Sequence, residues 1–138
     1  MNFDNQLLDI YNDCFPEREA EPELEFLVKN SSLLKLQENG LTICFLFYKT
    51  IYEDEVEILD FGTMKNFRNK GYGKKILSIL FEKLRGENIK KIFLEVAESN
   101  HAAIMLYKNQ GFVESGKRRN YYNSGSKLEN ALILCKNL

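Results

Sequence analysis

The sequence predicts an α/β fold: a single mixed, mostly antiparallel sheet with helices on its faces, formed as one domain over residues 1–138. Three observations carry this. Asn39-Gly40 separates two β-prone runs, which is a strong hairpin signal. After residue 55, segments of strand period and of helix period alternate. No repeat, linker or low-complexity stretch interrupts the 138 residues.

The elements follow in order. Residues 4–14 place Leu7, Leu8, Ile10, Tyr11 and Cys14 close to one helical face. "PEREAEPELEF" holds Pro16, Pro22 and five glutamates and reads as an exposed turn leading into a short helix near 22–30. "SLLKLQENGLTICFLFYKT" is the hairpin, and "EVEILDFGT" is a third strand after an acidic turn at Glu53–Glu55. Ile76, Leu77, Leu80, Phe81 and Leu84 give the apolar stripe of a helix over 71–85, ending near Gly86. "KKIFLEVA", 90–97, is a strand. "SNHAAIMLYKNQ", 99–110, is a helix with Ser99 or Asn100 as N-cap and Gly111 past its end. "FVESGKR" and "ENALILCK" form a last pair of strands around a polar, aromatic loop over 117–128.

Composition narrows the function. Hydrophobic residues are 44% and charged residues 28%, ordinary for a globular chain. A net charge of −1 gives no broad basic footprint for a nucleic-acid partner. The longest apolar run, Ile43 to Tyr48, is too short to span a bilayer, and "MNFDNQLLDI" has no leader pattern. No membrane partner and a cytoplasmic location are expected. Cys14, Cys44 and Cys135 are odd in number and far apart, as befits small buried residues in a reducing compartment. The single His101 and the absence of ligand spacing predict no metal. Nothing in the sequence assigns an oligomeric state.

Three places carry chemistry. "RNKGYGKK", from Arg68 to Lys75, sets two glycines among basic side chains where a strand hands over to a helix. Unpaired N–H groups and the dipole at a helix start favour an anion, and glycine lets backbone approach it. The turn is a candidate phosphate cradle, or else a solvated surface turn. Glu95 stands inside an apolar strand. Burial would disfavour its charged form and raise its pKa, which suits a general base. A lone strand Glu also commonly faces solvent at a sheet edge. Tyr107 is either a core aromatic or a proton donor, and Asn100 most simply a cap.

"RNKGYG" after a strand, then "LEVAESN", "AAIMLYKNQGF" and "RRNYY" in this order, resemble the GNAT N-acetyltransferase superfamily. Within it they are most similar to the ribosomal-protein-alanine N-acetyltransferases of the RimI type. The resemblance covers residues 55–138 well and the N-terminal part loosely. It implies the GNAT fold, with the sheet splayed between two central parallel strands, and acetyl-CoA as co-substrate. It implies that Arg68, Asn69, Lys70, Gly71, Tyr72, Gly73 and Lys74 hold the pyrophosphate. Phe61, Gly62 and Thr63 would run beside the pantetheine, and Asn100 would touch the coenzyme. It gives Glu95 the base position and Tyr107 the acid position. Arg118, Tyr121 and Tyr122 fall where the family closes over its acceptor.

The acceptor implied is an amine, foremost a protein N-terminus. An α-amino group, with a pKa of about 7.7–8.0, needs less help to lose its proton than a Lys at about 10.4. The chain departs from the family in three ways. Its first strand is expected to be short or absent, Phe15-Pro16 is followed by Glu17 rather than Trp, and "EREAEPELE" is unusually acidic. The acidic segment keeps a small cationic amine or a Lys side chain open as acceptor. A non-catalytic acyl-CoA-binding module is the reading from another class.

Overall fold

The computed structural model describes residues 5–124 and 127–138. Among these described residues six strands form one sheet in the order β1-β2-β3-β4-β6-β5. They are β1 Ser32–Glu38, β2 Leu41–Tyr52, β3 Glu55–Thr63, β4 Lys91–Ala97, β5 Val113–Ser124 and β6 Lys127–Asn137. Four α-helices among the described residues accompany them: α1 Asn5–Cys14, α2 Ala20–Asn30, α3 Tyr72–Gly86 and α4 His101–Asn109. β1/β2, β4/β6 and β5/β6 pair antiparallel; β3 and β4 pair in parallel, with Glu55–Glu57 against Lys91–Phe93. The expected fold class is therefore the observed one. Among the described residues no helix is long and apolar enough to cross a membrane, and no His/Cys/Asp/Glu group could hold a metal.

The chain divides into two compact units. The first comprises residues 5–49 and Leu59–Lys83. Leu7, Ile10 and Tyr11 from α1 and Leu24 and Leu27 from α2 pack with Phe45 and Phe47 of β2. Tyr11 and Phe45 lie with ring centroids 5.8 Å apart, and Phe45 and Phe47 5.9 Å apart. Burying each such side chain contributes about 1.5–3 kcal/mol. The run Ile43 to Tyr48 is buried on both faces of its strand, so it shows no alternation. α2 starts two residues earlier than its glutamates and prolines suggest. Pro22 occupies the first turn, where a missing N–H costs nothing, and Glu21 and Glu23 suit the helix dipole there.

The second unit comprises Thr50–Ile58 and Leu84–Leu138. Ile92, Leu94 and Val96 of β4 are buried and alternate with half-buried Phe93, Glu95 and Ala97. The sequence suggests a loop over 117–128 here, and this is a correction. β5 runs to Ser124 and β6 begins at Lys127, so most of that stretch is extended hairpin. Its polar composition hides the strand because β5 is exposed from Lys117 to Tyr121. Arg118 pairs with Ala131 and Tyr122 with Glu129, leaving Arg119–Tyr121 as a bulge. Asn120 within it is left-handed at φ 53°, and its N–H donates to Asn130 Oδ1 at 3.0 Å.

Asparagine tolerates the left-handed region better than other side chains with a Cβ, and β-branched residues tolerate it least. Asn120→Gly should be close to neutral for stability, whereas Asn120→Val should cost about 1–2 kcal/mol. Denaturant unfolding of the two variants checks this, and equal losses would show that the bulge does not need that conformation.

Candidate active site

In the first unit, β3 ends at Thr63 and a 3-10 turn, Lys65–Phe67, leads to the glycine turn. Asp13 at the end of α1 holds this passage. Its Oδ2 accepts from Lys65 N–H at 3.0 Å and from Arg68 Nη2 at 3.2 Å. Arg68 Nε also donates to the Thr63 carbonyl at 2.8 Å. Arg68 is thus a strut across the turn as well as a candidate phosphate contact. Asn69 and Gly71 are left-handed, at φ 61° and 89°. The Gly71 carbonyl accepts from Lys75 N–H at 3.0 Å, so Gly71 caps α3. By helix geometry the N–H groups from Gly71 to Lys74 have no intrahelical acceptor. Nothing lies within 4 Å of where a Cβ on Gly71 would sit, and Lys70 and Lys74 are exposed. An open, cationic cradle of backbone N–H groups fits a pyrophosphate.

Tyr72 donates from its hydroxyl to Glu38 Oε1 at 2.5 Å. Phe61, Gly62 and Thr63 close β3. Gly62 is required for space: a Cβ there would meet Cys14 Sγ at 2.5 Å and Phe45 Cε1 at 3.1 Å. Burial pushes the Cys14 thiol up, so it stays protonated and behaves as packing.

In the second unit, Glu95 lies on β4, two residues past the Glu57–Phe93 end of the pairing with β3 and opposite Ile133 of β6. Its carboxylate is not without a counter-charge. Its Oε1 takes Arg118 Nε at 3.1 Å. Asn100 caps α4, its Oδ1 accepting from Ala103 N–H at 3.3 Å. α4 ends in a Schellman motif. Phe112 N–H donates to the Tyr107 carbonyl and Gly111 N–H to the Lys108 carbonyl, both at 3.1 Å. Gly111 supplies the left-handed residue at φ 95°, and the Tyr107 and Phe112 rings meet at 5.6 Å. Tyr107 is therefore a buried ring fixed by its own helix end. Arg118 also lies over the exposed Tyr121, 4.9 Å from the ring centroid. The side chain of Tyr122 lies outside the described ones.

The sequence profile of the acetyltransferase (GNAT) family matches residues 5–112. The chain belongs to the GNAT family. An [Ribosomal protein bS18]-alanine N-acetyltransferase of Haemophilus ducreyi is 36% identical over 103 residues, 73% of this chain and 70% of that one. The crystal structure of the ribosomal-protein-S18-alanine N-acetyltransferase from Escherichia coli superposes with a TM-score of 0.87 at 26% identity. That match covers 96% of this chain and 85% of the other. A GNAT family acetyltransferase from Elizabethkingia anophelis with acetyl-CoA bound shares the fold at a TM-score of 0.80, with 18% identity over 94% of this chain and 89% of its own. This GNAT chain is an acyltransferase by family, and GNAT acetyltransferases use acetyl-CoA.

One cluster in this GNAT chain escapes a reading of the sequence. Asp60 of β3 takes Tyr11 Oη–H at 2.7 Å and Arg18 Nη1 at 2.9 Å, with Glu23 3.6 Å from the same guanidinium nitrogen. Asp60 and Glu23, with Pro22, Phe26 and Leu27, line an open cavity of about 370 Å³. The signal was present: "EILDFG" carries an Asp among apolar strand residues, as "IFLEV" carries its Glu. Burial, and then the Asp60 carboxylate, push the Tyr11 phenol well above its usual range. For Arg18, burial works against the charged form, but Asp60 outweighs it and holds the guanidinium protonated.

The raised Tyr11 value fixes a sign. The unfolded chain releases this proton near pH 10, while the folded protein keeps it, so the contribution is complete below pH 10 and declines above it. Tyr11→Phe should cost about 1.5–3 kcal/mol at neutral pH, the range for a hydrogen bond to a charged group. The gap between the two proteins should narrow as pH rises beyond about 10. Urea titrations at neutral and alkaline pH measure it; a gap that widens would contradict the assignment.

Proposed function

We propose that this chain transfers an acetyl group from acetyl-CoA to the N-terminal α-amine of a protein, in the manner named for its bS18-alanine relatives, and works in the cytoplasm. The observation that carries it is the 36% identity with such an enzyme over 103 residues. The turn from Arg68 to Lys74 takes the pyrophosphate on the backbone N–H groups at the start of α3. Phe61 to Thr63 lie along the pantetheine, and Asn100 contributes at the start of α4. Glu95 accepts a proton from the ammonium, directly or through a water, because only the neutral amine attacks a carbonyl. Negative charge then develops on the carbonyl oxygen, where a backbone N–H of β3 supplies stabilisation. Tyr107 donates a hydrogen bond or proton to the departing thiolate. The amine gains the acetyl group, the second proton it sheds replaces the one given to the thiolate, the coenzyme leaves as its thiol, and the proton taken by Glu95 returns to solvent.

A second reading has its own observation. Five glutamates lie between Glu17 and Glu25, and Glu23 and Asp60 line the cavity beside α2. Such a surface favours a cationic acceptor. Thiol release from acetyl-CoA with an alanine-starting peptide, with spermidine, and with neither separates the two acceptors from a module that only binds. The peptide is expected to give the largest kcat/KM.

CoA and acetyl-CoA should both raise the melting temperature, since each binds the folded state. Gly71→Ala should lose that shift, besides costing about 1–2 kcal/mol for its left-handed backbone. Identical melting of free and CoA-saturated protein would refute coenzyme binding.

Glu95→Gln should lower kcat at neutral pH by about 10²–10⁴-fold, the usual span for general base catalysis. The deficit should shrink at high pH, where the amine loses its proton unaided, and coenzyme binding should be unchanged. Tyr107→Phe should also lower kcat. Undiminished turnover in both variants would rule out this assignment of base and acid.

A further inference from the structure

Arg118 links the β5–β6 hairpin to the proposed base. Glu95 lies opposite Ile133 on β6, and Arg118 lies opposite Ala131. Residues opposite one another share a sheet face, as do residues two apart on one strand. Glu95, Ile133, Ala131 and Arg118 therefore lie on one face, with β6 between the two charges. Ala131 has too short a side chain to block the way, so the guanidinium reaches across β6 to within 3.1 Å of Oε1. The two partners are unequal. The Arg118 side chain is 54% exposed and that of Glu95 18%. Arg118 can withdraw into water at little cost, whereas a largely buried carboxylate left without a counter-charge is costly. While it meets Glu95, the Arg118 guanidinium also lies over the face of Tyr121, a contact that does not depend on the carboxylate.

An acceptor amine arrives mostly as an ammonium at neutral pH. It is a cation that needs the same carboxylate oxygens. We propose that Arg118 is a displaceable counter-ion for Glu95, exchanged for the ammonium of the acceptor when the acceptor binds. This rests on the reading of Glu95 as the base. Cation replaces cation, so the carboxylate keeps a partner throughout, and Arg118 stays on Tyr121 while the ammonium donates to Glu95. Arg118 is then a positioning residue that acts through Glu95. It also competes with the acceptor, so its removal tightens acceptor binding instead of weakening it.

Two measurements test the exchange. In ¹⁵N-labelled, CoA-saturated protein the Arg118 Nε–H should give a protected signal, assigned by its loss in Arg118→Met. It should vanish in Glu95→Gln and on adding a short alanine-starting peptide. The same peptide with an acetylated N-terminus has no ammonium and should leave it in place. In steady state, Arg118→Met should lower the KM for the alanine-starting peptide by roughly two- to fivefold, the scale of a partly exposed ion pair. The coenzyme KM should not move, and Arg118→Lys should restore the wild-type value. An Arg118 signal that is absent at the outset or insensitive to the free peptide overturns the exchange, as does a raised peptide KM in Arg118→Met. Full kcat in Glu95→Gln sinks the base assignment and the exchange with it. An inactive Glu95→Gln with an unmoved Arg118 signal sinks the exchange alone.

Discussion

The Asp13 carboxylate holds the passage from β3 into α3. It gathers the Lys65 N–H and the Arg68 guanidinium, and Arg68 in turn ties back to the Thr63 carbonyl. Two left-handed residues, Asn69 and Gly71, follow within three positions of that tie. A chain that bends so sharply loses conformational freedom it would otherwise keep. The hydrogen bonds to Asp13 offset that loss before any coenzyme arrives. The backbone N–H groups at the start of α3 are consequently preorganised, and preorganised donors are what an anion site needs.

Charges inside strands are the second recurring constraint. Asp60 in β3 and Glu95 in β4 each interrupt an apolar run, and each is met by an arginine brought from a distant part of the chain. The two pairs are held differently. Arg18 is fixed from several sides, by Asp60, by the Tyr11 hydroxyl and by stacking 4.0 Å over the Phe15 ring. Among the described residues Arg118 has one ionic contact and one aromatic one, and about half of it faces water. A pair held from several sides stabilises one conformation, while a pair with one exposed partner can exchange.

The legible parts of the sequence were those whose cause is local. Asn39-Gly40 makes its hairpin turn with both residues left-handed, and Asn100 caps α4. Gly111 ends α4 because the Schellman geometry needs a left-handed residue one position past the cap. The apolar stripe of α3 is buried at Ile76, Leu77, Leu80, Phe81 and Leu84. The hairpin over 117–124 was not legible. Its residues show no apolar alternation because β5 is exposed from Lys117 to Tyr121, and the bulge at Asn120 breaks any period of two. The asparagine of "RRNYY", read as part of an acceptor loop, is first of all the residue that lets β5 bulge.

The sequence alone determined the elements apart from the extent of the last hairpin, their order, the family and the residue types at the candidate site. Period, turn chemistry and capping act over a few neighbouring residues, and the family motif is a string of such local features. Only the tertiary structure decided which charges meet. Arg118 reaches Glu95 because β6 sets Ala131 and Ile133 between them in one register, and Arg18 reaches Asp60 because α1 and α2 pack over β2. A shift of one residue would turn Arg118 to the opposite face. Register is fixed by the whole sheet, including bulges that conceal themselves among polar residues, and so no local pattern states which arginine will find which carboxylate.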